Sequence, residues 1–137
     1  MKAVQLDGKE KVSIVDVPEP EPGPDEVLIA VRASALCGSE MHGYHETGEP
    51  GGTCGHEGAG EVVALGDAVT SLAVGDRVGV SVVCGCGDCP CCDRGQYTWC
   101  TDQSFYPGMH AQRLVAAARA CHKLPDDIEW GVGVLLT

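Results

Sequence analysis

Gly55-His56-Glu57-Gly58-Ala59-Gly60-Glu61-Val62-Val63-Ala64-Leu65-Gly66-Asp67-Ala68-Val69 passes from a polar pair among glycines into an apolar run closed by another glycine. The run Glu61 to Leu65 reads as a β-strand, so His56-Glu57 sits where a loop opens into it. Upstream, Glu26 to Leu36 is rich in Val, Ile and Ala and reads as a second strand, followed by Cys37-Gly38-Ser39-Glu40-Met41-His42. One loop leaves a strand and the other enters the next, so the two can bring Cys37 and His56 to a shared point. Few and mixed ligands of this kind suit a metal ion that keeps an open coordination position. A Cys and a His taken singly are more often packing residues, and the weight of this pair comes from the pattern around it.

Outward from this stretch the chain stays mainly β. Lys11 to Val17 alternates polar with apolar residues, and Arg77 to Val83 is another strand, fed by a turn at Val74-Gly75-Asp76-Arg77-Val78. Pro18-Glu19-Pro20-Glu21-Pro22-Gly23-Pro24 cannot donate to a ladder at its prolines and is an extended loop between strands. At the far end, Asp126 with Glu129 three positions later is a capping-box pattern, which predicts a helix beginning there. Apolar residues Trp130, Val132, Val134, Leu135 and Leu136 follow, and Thr137 ends the chain without a closing residue, so the helix is expected to be truncated. Gly131-Val132-Gly133 is not a dinucleotide loop: no strand precedes it, and Leu136 stands where a third glycine belongs.

The 137 residues, 44% of them hydrophobic, suit one globular domain spanning 1–137. A net charge of −11 without a Lys/Arg cluster argues against nucleic acid as a partner. No apolar run approaches the roughly 20 residues of a membrane span. The N-terminus has no uninterrupted apolar stretch of the signal-peptide kind, so the nine cysteines point to metal sites in a reducing compartment, and a cytoplasmic protein is expected.

Residues 84–100 hold most of those cysteines. Cys86, Cys89, Cys92 and Cys100 form a C-x2-C-x2-C-x7-C frame, in which one short loop wraps four thiolates around a tetrahedral ion. Zinc fits best, in a closed structural site with no position left for substrate. Disulfides would need an oxidising compartment, a ferredoxin-type cluster would want a cysteine where Gln96 stands, and a redox pair would use only two of the thiols. Cys84 and Cys91 lie close enough in sequence to substitute for a neighbour.

The spacing Gly55-His56-Glu57-x2-Gly60-x5-Gly66-x2-Val69 resembles, position by position, the zinc signature of the zinc-dependent alcohol dehydrogenases in the medium-chain dehydrogenase/reductase family. Cys37-Gly38-Ser39-Glu40, the Val-Gly-Asp-Arg-Val turn and the cysteine lobe follow the family's order, so the resemblance covers essentially the whole chain. It implies a GroES-like β-barrel that is the catalytic domain of an oxidoreductase, whose NAD(P)-binding Rossmann domain is absent here. Carried over, Cys37 and His56 are ligands of a catalytic zinc, with Glu57 a close or exchanging ligand. Ser39 holds the relay hydroxyl, Glu40 orients His56 through its second ring nitrogen, and His42 passes protons to solvent. The implied reaction converts an alcohol or polyol to a carbonyl, or an aldehyde or ketone back, with hydride exchanged with NAD or NADP. A homodimer or homotetramer is implied for the full-length enzyme. The third strong zinc ligand is missing from the chain, so the isolated fragment is expected to be inactive. A stand-alone zinc-binding or interaction module is the alternative. His45, His110 and His122 read as surface or packing histidines, and Cys54 and Cys121 as small buried residues.

Overall fold

In a computed structural model, which describes residues 1–49, 51 and 54–136, the chain is mainly β. Strands β1 (Lys2–Gly8) and β2 (Lys11–Asp16) make an antiparallel hairpin. After the proline-rich segment come β3 (Glu26–Ala35), β4 (Glu57–Leu65) and β5 (Arg77–Val80). A two-residue pair, β6 (Val83–Cys84) and β7 (Ser104–Phe105), brackets the cysteine lobe, and β8 (Arg113–Ala117) and β9 (Cys121–Lys123) follow. The main sheet is antiparallel, in the order β8-β3-β4-β5-β9. It curls into a half-barrel, the shape the resemblance implied. Two register shifts between β3 and β4, at Leu28/Ile29 and Val31/Ala33, add the local twist that such a curl needs.

The concave side is filled by Val27, Ile29, Val62, Leu72, Val78, Val80, Met109, Leu114 and Ala116, all buried. The β3–β4 crossing is so close that a Cβ on Gly60 would collide with the Ala30 carbonyl and the Ile29 side chain, which makes glycine the residue that fits. Their ladder runs on to Ala35 opposite Glu57. Cys37 therefore leaves the end of β3 beside the point where His56 enters β4.

The strands follow the sequence reading with shifted ends: β2 stops at Asp16, and β4 starts at Glu57 rather than Glu61. The run predicted from Arg77 to Val83 is interrupted at Ser81 and Val82, where β5 gives way to β6. At Asp76 the turn forms because the carboxylate accepts the Ala73 amide at 2.8 Å and meets Lys123 Nζ at 2.8 Å. The capping box at Asp126 does not form. The helix is only Trp130–Gly133, capped at Glu129 without a side-chain bond, and continues as a 3-10 turn Val134–Leu136. Tertiary contact explains this: the Arg77 guanidinium donates to the carbonyls of Pro125, Asp126 and Ile128 and stacks 4.1 Å from the Trp130 ring. Those carbonyls are held outward, and Gly131 and Gly133 give the short helix little propensity to extend.

Candidate functional site

Among the described residues, two groups of side chains able to ligate a metal come together. In the first, one ligand atom each from Cys37, His56 and Glu57 lies within 4.8 Å of the others, and all three residues are half-buried. The β3–β4 ladder sets this spacing, because Glu57 is in its last rung and Cys37 and His56 lie just beyond it. A thiolate, an imidazole and a carboxylate at the accessible end of a sheet match the mixed donor set of an ion with an exchangeable position. In the second group, Cys86, Cys89, Cys92 and Cys100 likewise converge within 4.8 Å, with Cys92 and Cys100 buried. The 3-10 turns Cys92–Arg94 and Tyr97–Trp99 fold the loop so that its four sulfurs point inward, and the Gly87, Asp88, Cys92 and Asp102 amides face them at 3.4–3.5 Å. Four sulfurs and no carboxylate are the donor chemistry of a closed tetrahedral zinc site. Within the thiol cluster, the Cys92 amide and then the Cys92 thiol lower the Cys89 pKa to about 7. For Cys92 itself the Gly87 amide favours the thiolate, but desolvation and the neighbouring thiols outweigh it and push the pKa up to about 12. A shared cation removes that conflict. Cys84 turns to the Gly85 carbonyl and Cys91 stays outside the cluster.

Around the first group, Ser39 Oγ lies 3.3 Å from His56 Nε2, so hydroxyl and ring are already in contact. His42 is exposed and faces Glu46 at 3.7 Å; among the described residues it makes no hydrogen bond to Ser39. Glu40 is arranged differently from the sequence expectation. Its carboxylate, 2% exposed, does not reach the His56 ring; it accepts the Cys37 amide at 2.9 Å on Oε2 and the Gly55 amide at 2.8 Å on Oε1. These bonds close a capping turn over Gly38–Glu40 and tie the loop carrying Cys37 to the loop carrying His56. The physical reason is proximity: the carboxylate lies buried between two otherwise unpaired amides, and leaving them unsatisfied would cost more than a contact to an imidazole returns.

Sequence reasoning missed His110. Its side chain is nine-tenths buried, with Nε2 3.2 Å from Glu40 Oε1 and Nδ1 2.9 Å from Ser34 Oγ. No ligand spacing surrounds it, and Glu40 is distant in sequence, so no local signal could have found it. His45 pairs with Glu10 at 3.3 Å and His122 with Ser81 at 3.1 Å, both exposed, while Cys54 and Cys121 are buried as expected. Burial pushes the Cys121 pKa up to about 12.

Residues 23–126 match the alcohol dehydrogenase GroES-like domain. The chain is 39% identical to sorbitol dehydrogenase from Bombyx mori over 92% of its own length, and spans 39% of that relative. Its fold superposes on galactitol-1-phosphate dehydrogenase from Escherichia coli with a TM-score of 0.85 and 29% identity, covering 99% of this chain and 41% of that one. A zinc-binding dehydrogenase from Sinorhizobium meliloti solved with NADP gives a TM-score of 0.75 and 32% identity, covering 94% and 40%. With the half-barrel, both ligand clusters and these likenesses in place, the chain belongs to the alcohol dehydrogenase GroES-like domain family.

Proposed function

We propose that this chain is the metal-bearing catalytic half of a zinc-dependent dehydrogenase that interconverts an alcohol or polyol with its carbonyl. The observation that carries the reading is the convergence of Cys37, His56 and Glu57, with the Ser39 hydroxyl on the His56 ring. Zinc held by these three would supply Lewis acidity toward a substrate oxygen. Ser39 would relay the substrate's hydroxyl proton, giving up its own as it accepts, and exposed His42 would release the relayed proton to water. Glu40 fixes the two loops relative to one another. Cys86, Cys89, Cys92 and Cys100 would hold a second zinc whose role is structural.

The likeness to an NADP-bound dehydrogenase, and to relatives of more than twice this length, supports a nicotinamide cofactor on a Rossmann domain outside this chain. A polyol or other small alcohol as substrate, a cytoplasmic location, and a homodimer or homotetramer complete the reading. Metal titration tests it. The chain is expected to hold one ion firmly in the cysteine lobe and a second loosely, seen only at excess zinc, and Cys37→Ser or His56→Ala to abolish the second; no second ion even at saturating zinc refutes the proposal. By itself the chain is expected to form no NADH or NADPH from alcohols.

A further inference from the structure

His110 reaches the centre from a third direction. It precedes β8, next in sequence to the fully buried Met109, and its own amide donates to the Cys54 carbonyl at 3.2 Å. Gly55, immediately before His56, holds φ at +91°, and a Cβ there would lie 2.5 Å from the His110 amide nitrogen and 2.7 Å from its ring. The histidine thus packs directly against the backbone that presents His56. Its Nδ1 meets Ser34 Oγ on β3, three residues before Cys37, and its Nε2 faces Glu40 Oε1. That second contact is short but too bent for a good hydrogen bond, and the buried Nε2 has no other partner. Among the described residues, His110 is the one basic side chain within ion-pair distance of Glu40.

Resting on the reading above, we propose that His110 is a positioning residue of the Cys37–His56–Glu57 centre. It holds the Glu40 carboxylate in the orientation that bonds the Cys37 and Gly55 amides, and so fixes the separation of thiolate and imidazole before a metal arrives. Ser34 sets the ring orientation from β3, so that three segments of the chain meet at one buried carboxylate. Groups that orient metal ligands from outside the coordination sphere change metal affinity by about 10–100-fold when removed, and this is the scale expected here.

The test titrates cobalt(II) into the full chain after its four-cysteine site has been filled with zinc, and follows the thiolate charge-transfer band. His110→Phe is expected to weaken cobalt binding by about tenfold or more and to shift the band, with the zinc of the cysteine lobe retained. His110→Gln, which keeps an N–H within reach of Glu40, is expected to recover affinity to within about threefold of the unsubstituted chain. Cobalt binding unchanged in His110→Phe overturns the inference alone, and so does a His110→Gln variant as weak as the phenylalanine, since the ring would then only fill space. If His110→Phe fails to fold, His110→Met against His110→Gln gives the same contrast. An unsubstituted chain that binds no cobalt overturns both this inference and the functional reading.

Discussion

Replacing Glu40 with alanine removes the acceptor of two backbone amides, one buried and one part-buried. The residue is 2% exposed, and the Cys37 and Gly55 amides lie 2.9 and 2.8 Å from its oxygens. A buried donor left without a partner costs about 1–3 kcal/mol, and the part-buried Cys37 amide adds less than a second such term, so the pair amounts to about 2–4 kcal/mol. Loss of the carboxylate facing His110 Nε2 adds to this. Domains of this size are stable by only about 5–15 kcal/mol, so the variant should melt about 10 °C or more below the unsubstituted chain, and Glu40→Gln, which keeps one acceptor, should fall between them. The assay is thermal and urea unfolding followed by circular dichroism at one fixed zinc concentration, because metal bound to the folded state shifts the midpoint by mass action. An alanine variant melting within about 2 °C of the parent would refute the reasoning, since neither amide could then depend on the carboxylate.

Two further outcomes follow from local geometry. Lys9 and Glu10 form the β1–β2 turn with φ of 52° and 61°, a conformation that Asn-Gly adopts with little strain. The double substitution Lys9→Asn, Glu10→Gly should raise stability by about 1 kcal/mol, seen as a higher urea midpoint at unchanged slope; an unchanged or lower midpoint counts against the strain. Burial pushes the Cys121 pKa up to about 12, above its unfolded value, so its thiolate stays scarce from pH 7 to 9 and iodoacetamide should leave it unlabelled in the folded chain across that range. Half-buried Cys37 should react, and excess zinc should slow Cys37 while sparing half-buried Cys91, as peptide mass mapping would show; equal protection of both by zinc would count against a metal at Cys37.

What could be read from the sequence was whatever had a local cause. The central strands are legible because their Val, Ile and Leu runs fill the concave core, and the cysteine lobe because its four sulfurs share one short loop. Strand β8 was not foreseen, since Ala116 and Ala117 carry little strand preference and are held by pairing with β3. The helix start was misread because Arg77, far away in sequence, takes carbonyls that a first helical turn beginning at Asp126 would have used as acceptors. Glu40 was placed at the site but given the wrong neighbour: its partners are backbone amides, which every residue possesses and no side-chain pattern reveals. His110 lay beyond reach because its meaning arises only when β3, two loops and the approach to β8 meet.

The rung that joins Ala35 to Glu57 acts as a gauge for the whole centre. Glu40 and Gly55 are clamped to one another through the buried carboxylate, so the sheet and that clamp, rather than the segment between them, set how far sulfur stands from imidazole. Doubling such a span costs only about 0.6 kcal/mol in closure entropy. A change in length there should therefore leave the spacing of the three ligating side chains intact.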